Sequence, residues 1–182
     1  MESEVGTMPQ KHRLRGAAAL FLSLALTLSC ALAAPTIHGY QEGMAKASEN
    51  DLWGFADASG RVVIPIRYQS VLDFTLGTAL VRTNNKMGLI RQDGLSLLQP
   101  EYDTLENLGY GLYMAQKGNQ WGVVSMLAFP DEQGGTTQEF FSITYDAVRT
   151  QKVDGLDVLV LTANGIDTVV PISTLKDQMV RR

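Results

Sequence analysis

The stretch Trp53-Gly54-Phe55-Ala56-Asp57-Ala58-Ser59-Gly60-Arg61-Val62-Val63-Ile64-Pro65-Ile66-Arg67-Tyr68 decides the fold, because much of it returns 34 residues later. Trp53-Gly54 becomes Met87-Gly88 and then Trp121-Gly122; Gly60 becomes Gly94, and Tyr68 becomes Tyr102. Upstream, Gly43, Gly77 and Gly111 keep the same interval, each ten residues before its Trp/Met-Gly pair. Val71 matches Leu105 and Phe74 matches Leu108, while Pro65 and Pro100 are one residue out of step. A fixed period in this range marks a repeat architecture, in which each unit buries its apolar face only against its neighbours.

The period fails once. Tyr145 lies 24 residues after Trp121 instead of 15, and Asn164-Gly165, the next candidate for the Trp-Gly position, lies 43 after it. Both displacements equal nine, which predicts one insertion between Trp121 and Tyr145, within 126–138.

A 34-residue period also suits helical repeats, so composition has to choose. Glycine and proline break each unit, and the runs between them are short and β-rich: Arg61 to Ile64, Ala79 to Val81, Met87 to Ile90, Asp157 to Leu161. Turn residues separate them at Glu49-Asn50-Asp51, Asn84-Asn85-Lys86 and Lys117-Gly118-Asn119-Gln120, then at 57–60 and 92–94. The expected fold is all-β: three units of three short antiparallel strands, each followed by a Tyr-x-x-Val/Leu link, then a fragmentary fourth unit. An open twisted array is expected over a closed, propeller-like one, since three and a half units are few for closure. Ser173 to Met179 predicts a short C-terminal helix that caps the last strand. The expected division is a signal peptide over 1–33, a repeat domain over 34–172 and a helical tail over 173–182.

The residues Gly43-Met44-Ala45, Trp53 to Asp57, Gly60, Val63-Ile64-Pro65 and Tyr68 resemble the WG repeat family, found mostly in bacteria. So do Met87 to Ile90, Asp93-Gly94, Pro100 and Tyr102-Asp103, then Trp121 to Val124 and Tyr145-Asp146. The resemblance covers roughly Tyr40 to Pro171. Met87 for Trp and Gln69 for Asp depart from the pattern. The resemblance implies an all-β repeat with no shared catalytic chemistry and brings no site residues or cofactors with it.

Lys11, Arg13 and Arg15 precede an uncharged apolar run from Gly16 to Ser29 and an Ala31-Leu32-Ala33 cleavage site. That is the anatomy of a secretory signal peptide, with Met8 as an alternative start. The expected location is exported, periplasmic or secreted. A membrane anchor is the alternative for the apolar run. A lipoprotein is the alternative for Cys30, the chain's single cysteine, though Thr27-Leu28-Ser29 fits a lipobox poorly. Cleavage after Ala33 leaves 149 residues, with 12 basic and 17 acidic side chains. This acidic balance, with no basic stripe, argues against nucleic acid as a partner.

The remaining chemistry is sparse. His38 is the one histidine after residue 33 and is expected to be a flexible terminal residue, leaving no His/Cys metal set and no triad. No phosphate loop occurs, and Asp154-Gly155-Leu156-Asp157 is too sparse for calcium. No cofactor or metal is expected. Glu101, Asp103, Glu106 and Asp146 are the carboxylates from which a glycan-acting site would have to be built. Their places beside turns and tyrosines, like those of Asp57 and Asp93, suit capping instead. Trp53 and Trp121 are expected to fill contacts between units, because Met87 at the same place would make a poor sugar platform. Tyr68, Tyr102 and Tyr145 are expected to bond a neighbouring unit through their hydroxyls, or else to form an exposed aromatic row.

Insertions in repeat arrays often form the binding face. The candidate partner-binding residues are therefore Phe129, Pro130, Asp131 and Glu132 in the insertion, with Tyr102 and Tyr145. The expected function is a non-enzymatic exported interaction module for an unidentified protein, peptide or envelope glycan. The alternatives are an acidic-residue enzyme acting on a glycan, and a lipid-anchored envelope protein with a structural role.

Overall fold

The computed structural model describes residues 34–130 and 136–181. It consists of four antiparallel sheets in chain order. The first holds β1 (Thr36–Gln41), β2 (Met44–Glu49), β3 (Leu52–Ala56) and β4 (Val62–Tyr68). The second holds β5 (Ser70–Val71), β6 (Thr78–Thr83), β7 (Lys86–Arg91) and β8 (Ser96–Tyr102). The third holds β9 (Thr104–Gly109), β10 (Leu112–Lys117), β11 (Gln120–Pro130) and β12 (Thr136–Tyr145). The last has β13 (Ala147–Val153), β14 (Leu156–Ala163) and β15 (Ile166–Pro171), followed by α1 (Ile172–Arg181). The strands of each sheet pair in chain order, and the array is open.

The three expected strands per unit are present, but the Tyr-x-x-Val/Leu link is more than a link. It enters β5, β9 or β13, the first strand of the following sheet. The second and third sheets therefore have four strands where three were expected, and the first gains its fourth through β1. A second correction concerns Asn164-Gly165. These residues form the β14–β15 turn, with φ of 51° and 75°, as Asn84-Asn85 form the β6–β7 turn with 50° and 60°. Counted from that turn, Asp167-Thr168 occupies the Trp-Gly position. Asn and Gly are there because the tight turn needs left-handed backbone, which they adopt at low cost. The fourth unit is a three-stranded sheet, and α1 replaces its fourth strand.

The recurring pairs have a geometric cause. Trp53 faces Tyr68, Met87 faces Tyr102 and Trp121 faces Tyr145 across neighbouring strands. From Trp53↔Tyr68 to Phe55↔Ile64, β3 advances two residues while β4 advances four. The same bulge recurs between Leu98 and Tyr102 and between Phe141 and Tyr145. Its extra residues leave the ladder, so proline is tolerated at either Pro65 or Pro100, and the one-residue offset disappears into the bulge. The bulged backbone lies against the glycine of each pair. A Cβ on Gly88 would come 2.7 Å from the Leu98 carbonyl oxygen, and one on Gly122 2.7 Å from that of Phe141.

Three apolar clusters lie at the three seams between successive sheets. Phe55, Ile64 and Tyr68 meet Val71, Phe74, Val81 and Ile90 at the first seam. Leu89, Leu98 and Tyr102 meet Leu105, Tyr113 and Val124 at the second. Leu112, Met114, Val123 and Phe140 meet Val148, Leu159 and Leu161 at the third, where Leu175 of α1 is also fully buried. Trp53, Met87 and Trp121 each pack against one seam, as the substitution of Met for Trp implied. Each fully buried aliphatic or aromatic side chain contributes about 1.5–3 kcal/mol, and here that contribution comes from sheet-to-sheet contact.

Polar staples cross the same seams. The residue after each repeated tyrosine accepts a backbone N–H from a turn of the next sheet. Asp103 Oδ2 accepts from Gly118 at 2.7 Å, and Asp146 Oδ2 from Asn164 at 2.7 Å. Gln69 Oε1 accepts from Asn85 at 2.7 Å. Gln69 is one methylene longer than Asp and reaches one residue further along its turn, so this departure keeps the role.

Candidate functional site

The nine extra residues lie between Val123 and Phe141. Phe55↔Ile64 and Leu89↔Leu98 pair across nine positions, whereas Val123↔Phe141 pair across eighteen. They form a prolonged β11–β12 hairpin, with Phe129↔Thr137 and Pro130↔Thr136 still paired. An irregularity between Val124 and Phe129 bends β11. There buried Ser125 accepts the Leu127 N–H at 3.0 Å through Oγ. Gln138 Nε2 donates to the Leu97 carbonyl at 2.7 Å, which ties the hairpin root to the second sheet. Leu127 is 54% exposed. Of the candidate partner-binding residues, Phe129 and Pro130 are in β11, while Asp131 and Glu132 lie outside the described residues.

Tyr102 is only 4% exposed, and Tyr145 is half-buried against the third seam. Their hydroxyls do not bridge units as expected at the two sites where a partner is seen. Arg67 Nη2 donates to the Tyr68 hydroxyl at 3.1 Å from the adjacent residue, and Glu101, one unit on, bonds Tyr102. Lys117 crosses the seam to cover the Tyr102 ring at 4.7 Å. Burial, with Glu101 beside it, holds the Tyr102 hydroxyl above its ordinary range.

Of the four candidate carboxylates, Glu101, Asp103 and Asp146 are occupied, and Glu106 is exposed on β9. Glu101 pairs with Lys117 at 2.7 Å, and Asp103 with Lys86 at 2.5 Å, which together with the Gly118 amide lowers its pKa. Asp57 caps its turn through the Ser59 and Arg61 N–H groups, and Asp93 through that of Leu95. Among the described residues, no three His, Cys, Asp or Glu side chains are grouped so as to hold a metal ion. His38 belongs to β1 rather than to a free terminus. Its Nε2 lies 2.9 Å from Ser48 Oγ, and its ring stacks 4.9 Å from that of Trp53.

A cleft of about 420 Å³ among the described residues is fed by three sheets. Gln41 comes from the first, Leu72, Thr75, Thr78, Leu80 and Leu89 from the second, and Asn107 and Tyr113 from the third. A smaller cleft beside His38, Lys46 and Trp53 shares Gln41 and Asp73 with it. Sequence reading did not select these residues.

Residues 53–86 and 87–121 match the family model for the WG containing repeat. Residues 53–121 carry two WG repeats. Both matched segments begin at the Trp/Met position, so a WG repeat in sequence runs from the third strand of one sheet to the third strand of the next. No curated protein and no solved structure matches the chain. Among the described residues no helix is long and apolar enough to cross a membrane; residues 1–33, with the expected signal peptide and Cys30, lie outside them.

Proposed function

We propose that this WG-repeat protein is an exported, non-enzymatic interaction module, and that its prolonged hairpin contacts a protein, peptide or envelope glycan. The hairpin carries the reading. It is the longest break in the repeat, and it presents Leu127 to solvent from a root fixed by Gln138. The occupation of Glu101, Asp103 and Asp146 favours binding over acid–base hydrolysis, since a glycosidase needs two carboxyl groups free to face one bond.

The test is capture from the envelope of the native host, using the chain expressed from its full sequence. Deleting Phe129 to Gly135 is expected to leave the circular dichroism spectrum intact and to abolish capture of a defined partner. Unchanged capture overturns the role of the hairpin. The intact mass of the purified chain tests export: an N-terminus at Ala34 supports it, retention of residues 1–33 overturns it, and a lipid on Cys30 assigns the lipid-anchored alternative.

A further inference from the structure

The residue following the first turn of each sheet is Met44, Thr78, Leu112 and Leu156 in succession. Three are large and apolar; Met44 and Leu112 pack on the first and third seams, while Leu156, with no further sheet beside it among the described residues, is 59% exposed. In the third sheet Leu112 is fully buried in the third seam. In the second sheet the same column holds Thr78, and the cleft opens there. The opening is therefore a local departure from the repeat, where a side chain that packs the seam one unit later has been replaced by a short polar one. Such departures from an otherwise consistent pattern mark functional positions.

We infer that this cleft binds an extended polypeptide segment by taking up one of its apolar side chains. The lining decides the ligand class. Leu72 and Leu80, with buried Leu89, give the cleft an aliphatic lining, and polar groups from Gln41, Asp73, Thr75, Thr78 and Asn107 line it too. An apolar pocket with a few fixed polar groups suits a side chain flanked by peptide amides. Leu72 is 58% exposed, and Leu76, on the turn beside Thr75, is 88% exposed. Both offer apolar surface beside the opening. A glycan is disfavoured because the aromatic residue lining the cleft, Tyr113, is only 4% exposed and offers no ring face to a sugar. A charged ligand is disfavoured because Asp73 is paired with Lys46 at 3.0 Å.

The proposal rests on the reading of the chain as a binding module but uses different residues from the hairpin, so the two can fail separately. The full chain, purified as the cell delivers it, is titrated with end-blocked neutral pentapeptides, Ser-Thr-X-Thr-Ser, where X is Ala, Leu, Phe, Lys or Glu. Saturable shifts of the Thr75, Thr78 and Asn107 amide signals are expected with Leu or Phe, about tenfold or more tighter than with Ala. Thr78→Leu installs the residue that the third sheet already carries there, so the variant is expected to fold and to lose the peptide response. Leu72→Ala, at a largely exposed position, is expected to weaken the response. An unaltered response in Thr78→Leu, the absence of saturable shifts with Leu and Phe, or saturation by a cell-wall oligosaccharide instead overturns the proposal.

Discussion

A Cβ placed on Gly54 would lie 2.4 Å from the carbonyl oxygen of Ile64. Real side chains do not approach backbone that closely, and backbone cannot move aside as a flexible side chain can. The second letter of the WG motif is therefore set by the bulge beside it, not by a turn.

That relationship predicts the effect of Gly88→Ala. The bulge over Gly88 must shift, which destabilises by about 1–3 kcal/mol as overpacking does. Gly118→Ala is the control: nothing lies within 4 Å of its Cβ, although its φ is +61°. It is expected to cost about 1 kcal/mol through left-handed strain alone. Urea denaturation of both variants checks the order, and equal midpoints would refute the bulge argument.

Phe74→Ala addresses the first seam. Phe74 is 1% exposed and its ring lies 4.6 Å from that of Phe55 across the seam. Its loss is expected to cost about 3–5 kcal/mol. Hydrogen exchange should rise first in the sheets on either side of that seam, since stability in an array is local to neighbours. Uniform loss of protection throughout the chain would contradict this.

Acid should loosen the turns. The Ser59 hydroxyl holds the Asp57 carboxyl down at about 2, and Arg91 holds Asp93 at about 2. Both folded values lie below the unfolded value of 3.8. The stabilisation is therefore present in full above about pH 4 and is lost as pH falls toward 2. The double variant Asp57→Asn, Asp93→Asn is expected to flatten this part of the stability–pH curve. An unchanged acid limb would assign it to other groups.

Strand content, the second and third strands of each unit, the insertion and the seam role of Trp53 and Trp121 were legible because each leaves a mark within one repeat. Sheet membership was not legible. Nothing in Tyr68-Gln69-Ser70-Val71 tells which sheet claims Val71, because that depends on pairing with Val81. Asn164-Gly165 misled because Asn-Gly serves a turn as readily as it mimics a Trp-Gly slot, and its spacing coincided with nine. The hairpin was visible as a count but not as paired strands. The cleft had a signal, the column Met44, Thr78, Leu112, Leu156, but its meaning needed the registers that align those residues behind their turns.

The repeat in sequence and the sheet in space are out of phase by two strands, since each Trp-to-Trp segment ends one sheet and starts the next. Duplicating or deleting any in-frame stretch of one full period therefore adds or removes one whole sheet, wherever the breakpoints fall. An array of this kind can lengthen by unequal recombination without selecting its crossover sites. What it tolerates less is a partial period: nine extra residues are taken up by the β11–β12 hairpin, and three more fall between Tyr145 and Asp167, in the last sheet.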